Sequence, residues 1–303
     1  MARTFDSIAL GSIELFVKTA ETESFKTAAV ALGLSPPAVS RAIGRLEQRL
    51  GVRLFQRTTR RTRLTDDGKL YFEECRQALG QIAAVEDVLS GRRGVPSGHL
   101  RISAPTTYAH HRLLPFIPEF RERYPEVSLE INVANRNVDL IEEGFDLAIR
   151  LGTPADSRLV ARKLEDATLG IFASPGYLAK HGAPGSLDSL KDHALIAFDR
   201  PSTGRQMSWL LCDQGEVREY QVSGAISCSD DVLGCVTLAR AGCGLFQTYH
   251  FVAADAVRSG ELVEVMKSST SASRPFSILY PQNRHLSVRV RVFADFLIQR
   301  SRR

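Results

Sequence analysis

Long hydrophobic runs are absent from this sequence of 303 residues, and none approaches the roughly 18 apolar residues that a membrane span needs. Its first residues lack the basic start and the apolar core of a secretory signal. The sequence also contains no G-x-S-x-G, P-loop or H-E-x-x-H motif, so no catalytic constellation stands out. We therefore expect a cytoplasmic protein that has no membrane partner and is not an enzyme.

Cysteine is scarce: there are five residues, and they form no C-x-x-C pair and no cluster with histidine at metal-ligand spacing. In a reducing compartment we expect free thiols, several of them buried as small apolar side chains. Cys228, Cys235 and Cys243 lie within 16 residues, so a redox role for these three stays an open alternative. No metal ion or cofactor is expected.

Positive charge is concentrated at one end of the chain. Residues 1–66 carry 11 basic and 6 acidic side chains, whereas residues 67–303 carry 28 of each, so the formal net charge of +5 lies in the first fifth of the sequence. Residues 35–65 contain eight arginines and a single acid, Glu47. This distribution favours a module that binds a polyanion, joined to a neutral body, over the alternative of a merely solvated basic face.

Three helices are predicted in the basic segment, over residues 8–22, 25–32 and 36–50. Apolar residues recur at steps of four, three and four on one face of the third helix: Val39, Ile43, Leu46 and Leu50. The tight turn at 33–35 between the second and third helices gives a helix-turn-helix over residues 24–44, whose second helix enters the major groove of DNA. Candidate DNA contacts lie at the start and on the polar face of this helix: Ser35, Pro37, Ser40, Arg41 and Arg45.

A β-hairpin is predicted directly after the third helix. Residues 52–57 and 61–65 are typical of two short strands, and Thr58, Thr59 and Arg60 form the turn. Such a wing would place Arg57, Arg60 and Arg63 along phosphates or the minor groove. The winged helix-turn-helix domain is therefore expected to span residues 1–65.

Residues 66–90 are predicted to form one long helix that begins after Thr65. Its apolar stripe has heptad spacing and consists of Phe72, Cys75, Leu79, Ile82 and Leu89. Either the body of the same chain or a partner subunit can bury this stripe, and the sequence pattern alone leaves both open. Residues 91–98 are rich in glycine and are expected to form a hinge.

From residue 99 onward, strands alternate with helices, which indicates an α/β domain with helices that cover a parallel or mixed sheet. A helix from Thr106 to about Tyr124 and a short helix at 138–143 are among the predicted elements. Ligands in such folds bind beyond the carboxyl ends of the strands. Four polar residues at those positions are therefore candidate ligand contacts: Thr106, Thr107, Arg150 and Ser229. The alternatives are that Ser229 only caps a helix and that Arg150 only bridges two parts of the domain.

The basic segment resembles the N-terminal domain of LysR-type transcriptional regulators. The resemblance rests on these residues: Phe16, 23–29, 32–43, Leu46, Glu47, 50–55, Arg57, Arg60, Leu64, Thr65 and Gly68. Three segments of the body, 138–150, 173–178 and 260–263, are similar to the effector domain of the same family. One departure is visible: many members have Gln where Pro36 stands, so a DNA contact from position 36 is in doubt.

The resemblance implies a fold and a set of partners. The body would be a two-lobed domain like a periplasmic binding protein, with lobe I at 99–164 and 269–303 and lobe II at 165–268. Asn135, Phe198 and Thr248 would join the residues of the cleft. The helix at 66–90 would form a homodimer that reads an inverted repeat in promoter DNA; the resemblance leaves a homotetramer open and makes RNA polymerase a candidate partner.

Two functional hypotheses follow. The first is a sequence-specific transcriptional regulator in the cytoplasm, associated with the nucleoid, whose C-terminal cleft binds a small-molecule effector. The second is a cytosolic small-molecule-binding protein or enzyme with an incidental basic head. The localised charge and the lack of a catalytic motif favour the first hypothesis.

Overall fold

A computed structural model describes residues 7–57, 62–89, 95–152, 158–213, 215–224, 226–270, 272–282 and 286–301. The chain divides into two compact units, Met1–Arg93 and Gly94–Arg303. We call the first the head unit and the second the body unit, and each is described by itself. Residues 91–94 of the predicted hinge lie outside the described residues, and Val95 to Ser97 form no regular element.

Three helices form the head unit's core: α1 (Ser7–Thr22), α2 (Phe25–Ala31) and α3 (Pro36–Leu50). The bounds agree with the predicted helices to within one residue. Ser24 caps α2, since its hydroxyl accepts a hydrogen bond from Thr27 N at 3.2 Å. Gly51 ends α3 in the left-handed conformation with φ +75°, which glycine adopts without strain. Ser35 occupies the N-cap position of α3, but its side chain makes no capping hydrogen bond.

The wing is present as an antiparallel pair of short strands, β1 (Phe55–Arg57) and β2 (Thr62–Leu64). Phe55 lies opposite Leu64, and Arg57 lies opposite Thr62. Phe55 packs edge-on against Phe16 of α1, with the ring centroids 5.4 Å apart, so the apolar side of the wing belongs to the head core. The predicted turn, Thr58 to Arg60, lies outside the described residues.

A single carboxylate joins α3 to the wing. Glu47 is only 4% exposed, and its Oε1 accepts hydrogen bonds from Leu54 N at 2.8 Å and Phe55 N at 3.2 Å. Its Oε2 accepts from Arg53 Nη1 at 3.0 Å. These bonds satisfy two backbone donors where the chain enters β1, and they compensate the burial of the charge.

The long helix α4 (Asp66–Leu89) begins where the sequence predicted. The Thr65 hydroxyl caps it by accepting from Gly68 N at 2.9 Å. A Cβ at Gly68 would lie 2.0 Å from Leu54 O, so only glycine lets α4 approach the wing so closely.

The apolar stripe of α4 is divided between two environments. Phe72, Cys75 and Leu79 pack against the core of the head unit. Ile82 is 42% exposed, and Ala78, one turn before it on the same face, is exposed as well. The same chain therefore buries the first half of the stripe and leaves Ile82 uncovered.

The body unit contains eleven strands among its described residues. They are β3 (Gly98–Ala104), β4 (Val127–Val133), β5 (Leu147–Leu151), β6 (Leu159–Ala173), β7 (Ile196–Asp199), β8 (Trp209–Asp213), β9 (Glu216–Tyr220), β10 (Ile226–Ser229), β11 (Phe246–Tyr249), β12 (Val263–Val265) and β13 (Ser273–Pro281). The helices are α5 (Thr106–Tyr108), α6 (Ile117–Arg123), α7 (Pro175–His181), α8 (Val232–Arg240), α9 (His250–Arg258) and α10 (Val288–Ser301).

Nine of these strands form two groups that share β6, and β8 and β9 form a separate antiparallel pair. In the first group the order is β4-β3-β5-β13-β6, and β3 pairs in parallel with both neighbours. In the second group β11 and β12 pair with the last residues of β6, β7 is bridged to β11 between Leu195 and Leu245, and β10 pairs with β7. The groups correspond to the two predicted lobes of an α/β domain.

Several predicted elements of the body unit are wrong. Residues 138–143 form a turn instead of a helix, because the Asp139 carboxylate accepts from Ile141 N and Glu142 N and holds the backbone in a tight loop. The predicted helix from Thr106 to Tyr124 is interrupted by a π-helical turn and by a 3-10 turn that contains Pro115, and Pro118 lies in the first turn of α6, which follows. Residues 159–173 form one continuous strand, β6.

The main core of the body unit lies between the sheet and the helices. Phe120, Phe276 and Phe293 are fully buried there, and a second cluster lies around Ile171, Trp209 and Leu245. Within the described ranges, no helix is both long and apolar enough to cross a membrane.

We predict that Glu47→Ala destabilises the head unit by about 2 to 4 kcal/mol, because Leu54 N and Phe55 N would lose their buried acceptor. Urea unfolding of the full chain, followed by circular dichroism, measures this change. The sole tryptophan, Trp209, lies in the body unit, so its fluorescence transition should not move. Glu14→Ala on exposed α1 surface is the control, with an effect below about 0.5 kcal/mol. Equal stability of Glu47→Ala and the parent chain would contradict the assigned role.

Candidate functional site

One face of α3 presents arginine to solvent. Val39 and Ile43 are fully buried and fix the inner face of the helix, so Arg41 and Arg45 are exposed on the outer face. Neither arginine forms an ion pair with any described residue. Two guanidinium groups separated by one helical turn thus remain free to donate hydrogen bonds to bases or phosphates.

The other predicted DNA contacts lie around this face. Ser35 and Pro37 are exposed at the start of α3, whereas Ser40 is half-buried. Arg63 is exposed on β2 of the wing. The backbone of Arg57 belongs to β1, but its side chain and the whole of Arg60 lie outside the described residues. We call the surface made by Ser35, Pro37, Ser40, Arg41, Arg45 and Arg63 the recognition surface.

The electrostatics of the recognition surface follow from the position of Glu47. This residue is the only acid among residues 35–65, and its side chain is 3% exposed. Because its carboxylate points inward to the backbone of the wing and to Arg53, no acid of residues 35–65 neutralises the outer face of α3. A concentrated positive field is therefore directed outward, as binding to a nucleic-acid backbone requires.

The second site is a cavity of about 450 Å³ in the body unit. Five of the predicted ligand contacts line it: Thr107, Asn135, Arg150, Phe198 and Thr248. They come from the start of α5, the loop after β4, and strands β5, β7 and β11, so both groups of strands contribute. Its volume falls within the range of small-molecule sites in proteins. We call it the cleft.

Two other predicted residues do not line the cleft. Thr106 contacts the cleft residue Asn135. The backbone N–H of Thr106 donates to Asn135 Oδ1 at 3.0 Å, and Asn135 Nδ2 donates to the Thr106 hydroxyl at 2.9 Å. Asn135 Nδ2 also donates to Asp230 O at 2.6 Å, which ties the two lobes together at this edge. Ser229 is exposed and lies outside the cleft lining, and Asp231, rather than Ser229, caps α8.

Arg150 is the charged group that the sequence placed in the cleft. Its Nη2 donates to Ser103 Oγ at 2.7 Å and to Arg136 O at 3.1 Å, and its Nη1 donates to Ile149 O at 2.6 Å. No carboxylate of a described residue pairs with it. Burial, followed by the nearby charge of Arg136, lowers the pKa of Arg150 to about 10, so it stays protonated near neutral pH.

Sequence reasoning missed further lining residues, and Arg274 is the most consequential. It lies on β13, and its Nη2 donates to Ser208 O at 2.6 Å. Burial lowers the pKa of Arg274. No strand-to-helix turn marks this position, because β13 crosses the sheet antiparallel to β5 and β6. Only the pairing of distant strands brings Arg274 to the cleft.

The thiols show little sign of activation. All five cysteines are free, and Cys75 and Cys235 are buried. Burial raises the pKa of Cys235 to about 12 and also raises the pKa of Cys75. A thiol with a raised pKa contains little thiolate near neutral pH, and it reacts slowly. No cluster of three or more metal-ligating side chains is found among the residues that the structure describes.

A winged helix-turn-helix joined by a long helix to a two-lobed domain with a cleft defines the class of regulators that couple DNA binding to a small ligand. The sequence matches a family model described as bacterial regulatory helix-turn-helix protein, lysR family, over residues 10–69. It matches a second model, the LysR substrate binding domain, over residues 93–302. The chain belongs to the LysR-type transcriptional regulators.

Individual relatives agree with this assignment. The chain is 34% identical to the HTH-type transcriptional regulator CrgA of Neisseria meningitidis over 288 residues, or 95% of each chain. It is 36% identical to an HTH-type transcriptional repressor of Pseudomonas aeruginosa over 290 residues, or 96% of this chain and 91% of the relative. The solved structure of CrgA matches with a TM-score of 0.62 and 32% identity, and the match covers 99% of both chains.

Family membership decides between the two functional hypotheses. The protein is a DNA-binding transcriptional regulator with an effector-binding domain, and it is not an enzyme. The reading of an enzyme or solute-binding protein with an incidental basic head is therefore wrong.

Proposed function

We propose that the recognition surface reads promoter DNA and that a small molecule in the cleft changes how tightly the protein holds it. The observation that carries this proposal is the exposed arginine face of α3: Arg41 and Arg45 form no ion pair with a described residue, and Glu47, the only acid of residues 35–65, is buried. In a helix-turn-helix, the second helix enters the major groove, where arginine recognises guanine through two hydrogen bonds.

Each recognition residue has a role in this proposal. Arg41 and Arg45 contact base edges or flanking phosphates, and Ser35, Pro37 and Ser40 lie at the end of α3 that enters the groove. Arg57, Arg60 and Arg63 of the wing contact phosphates or the minor groove, and supply affinity that is independent of sequence. Pro36 has no side-chain donor, so a contact of the kind that Gln makes elsewhere in the family is missing here.

We infer that α4 joins two copies of the chain. The first half of its apolar stripe packs on its own head unit, but Ala78 and Ile82 form an uncovered apolar strip farther along. A two-fold related copy of α4 would bury this strip, and two heads would then read an inverted repeat. Pairing of two dimers would give a tetramer. Promoter DNA lies in the nucleoid, and an assembly bound there would contact RNA polymerase.

The proposed domain boundaries assign one of these roles to each part of the chain. Residues 1–65 bind DNA, 66–90 connect subunits, 91–98 form the hinge, and 99–303 bind the effector, with lobe I at 99–164 and 269–303 and lobe II at 165–268. An effector can shift DNA binding only by the difference between its affinities for two states of the protein. Contacts across the cleft, such as Asn135 Nδ2 to Asp230 O, would be the ones that differ between those states.

We predict that Arg41→Ala weakens binding to the DNA upstream of the protein's own gene by about 10- to 100-fold, because a guanidinium contact to a base contributes about 1–3 kcal/mol. Fluorescence anisotropy with labelled upstream and scrambled duplexes measures this loss. The circular-dichroism unfolding curve should not change, since Arg41 is exposed.

The matched control is Arg121→Ala, an exposed arginine of the body unit with the same change in charge, which should leave DNA affinity unchanged. Equal affinity of Arg41→Ala and the parent chain would remove Arg41 from the contact residues. A parent chain that does not distinguish upstream from scrambled duplex at any salt concentration would refute the proposed function.

We predict that Ile82→Glu weakens self-association, because it places a charge in the apolar strip that a second α4 would cover. Analytical ultracentrifugation of the full chain should show a mass of two or four chains for the parent and more single chains for the variant. Glu86→Gln, an exposed change one turn farther along, is the control. A parent chain that sediments as a single chain at micromolar concentration would contradict the dimer.

A further inference from the structure

The cleft carries an unbalanced positive charge. Among its described lining residues are three arginines, Arg150, Arg200 and Arg274, and no aspartate or glutamate. Elsewhere in the body unit, arginines have acidic partners, as in the pairs Arg136–Glu143 and Arg240–Glu261. A cavity that gathers guanidinium groups without carboxylates is complementary to a negatively charged ligand.

Two of these arginines are held in place by neutral acceptors only. Arg150 donates to a serine hydroxyl and two backbone carbonyls, and Arg274 donates to the Ser208 carbonyl. Each keeps a buried Nε that has no hydrogen-bond partner. Burial of a cation that forms no ion pair lowers the stability of a folded protein. Residues that carry such a penalty are often those that bind a ligand.

A third polar group in the lining is also unused. Thr248 is 3% exposed, and its Oγ1 has no hydrogen-bond partner. Its neighbour Gln247 shows the contrast, because both ends of that amide bond the backbone of Leu210, at 2.9 Å and 2.8 Å. Since buried hydroxyls are nearly always satisfied, the Thr248 hydroxyl is a donor available to a bound molecule.

The strand order brings the charges near each other. β5 and β13 are antiparallel neighbours in which Arg150 lies opposite Ser277, three positions from Arg274. At about 3.3 Å per residue and about 4.8 Å between strands, their Cα atoms are about 11 Å apart. Both arginines line the same cavity of about 450 Å³, so one small anion in the cleft would lie near both.

Much of the remaining lining is aromatic. Five buried aromatic residues contribute to it: Phe198, Trp209, Phe246, Tyr249 and Phe276. Such walls exclude water and strengthen any ionic contact beside them, and they provide a surface for a ring or a hydrocarbon chain.

We propose that the effector is a small carboxylate with an apolar body, whose negative group is bound by Arg150 and Arg274 and by the hydroxyl of Thr248. This inference rests on the proposed function, because it names the ligand class of the cleft. Arg274 and Thr248 become the residues that select an acid over its neutral analogue.

Thermal unfolding and calorimetry of the full-length protein at fixed ionic strength test the proposal. The probes are benzoate with benzamide, hexanoate with hexanamide, and phenyl phosphate. We expect at least one acid to raise the melting temperature in proportion to the logarithm of its concentration, while its amide has no effect. Arg274→Gln should weaken binding of that acid by about tenfold or more, and Thr248→Val should weaken it by several-fold.

Stability without ligand separates a ligand-binding role from a structural one. Arg274→Gln and Thr248→Val should not lower the melting temperature of the unliganded protein, because the first removes a buried charge that forms no ion pair and the second removes a buried hydroxyl that has no hydrogen-bond partner. Arg258→Gln, an exposed arginine paired with Asp255 on α9, is the matched control and should bind the acid like the parent.

Three results would overturn the proposal: amides that stabilise as much as their acids, no shift with either acid, or tighter binding of phenyl phosphate than of benzoate. A marked fall in the melting temperature of unliganded Arg274→Gln would likewise assign Arg274 to structure. If neither acid binds but the same preparation binds upstream DNA specifically, the ligand class is wrong and the proposed function stands. If the parent protein does not bind upstream DNA specifically, the proposed function itself is refuted.

Discussion

The inward-facing carboxylate of Glu47 is the contact on which the DNA-binding part of the molecule depends. It fixes the end of the recognition helix against the first residues of the wing, through Leu54 N and Phe55 N. It also withdraws the only negative charge of residues 35–65 from the surface, so Arg41 and Arg45 keep their full positive field. A surface glutamate at the same place in the sequence would have paired with these arginines and weakened their attraction for phosphate.

Arginines without acidic partners mark both candidate sites, but their surroundings differ. On α3 the guanidiniums are exposed to water, which the phosphates of a duplex would replace in the proposed complex. In the cleft Arg150 and Arg274 are buried and form no ion pair with a described carboxylate, so a ligand anion would compensate their charge. The two sites belong to separate compact units, Met1–Arg93 and Gly94–Arg303. Coupling between them therefore requires that the ligand prefers one arrangement of the assembly, a preference to which contacts such as Asn135 to Asp230 can contribute.

The head was predictable from the sequence because its signals are local. Ser24, Pro36 and Gly51 mark helix ends within a few residues, and the stripe of α3 identifies its buried face. The body was predictable as an α/β domain but not in its detail. The sequence did not predict strands β8 and β11 or helix α9. Residues 138–143 were predicted to be a helix, whereas the Asp139 carboxylate accepts backbone hydrogen bonds that hold them in a turn. Arg274 lies at the cleft only because strands far apart in the sequence pair with each other, and local sequence patterns do not reveal such contacts.

The salt dependence of DNA affinity tests the central claim, that the arginine surface exists to hold a duplex, most directly. Anisotropy titrations of the full-length protein with its upstream DNA across a series of salt concentrations give the slope of log K against log salt. For the proposed dimer, two heads with at least two phosphate contacts each should give a slope of about −3.6 or steeper. A slope near zero, at any measurable affinity, would contradict the claim, because it would mean that these guanidiniums displace no counterions from the DNA.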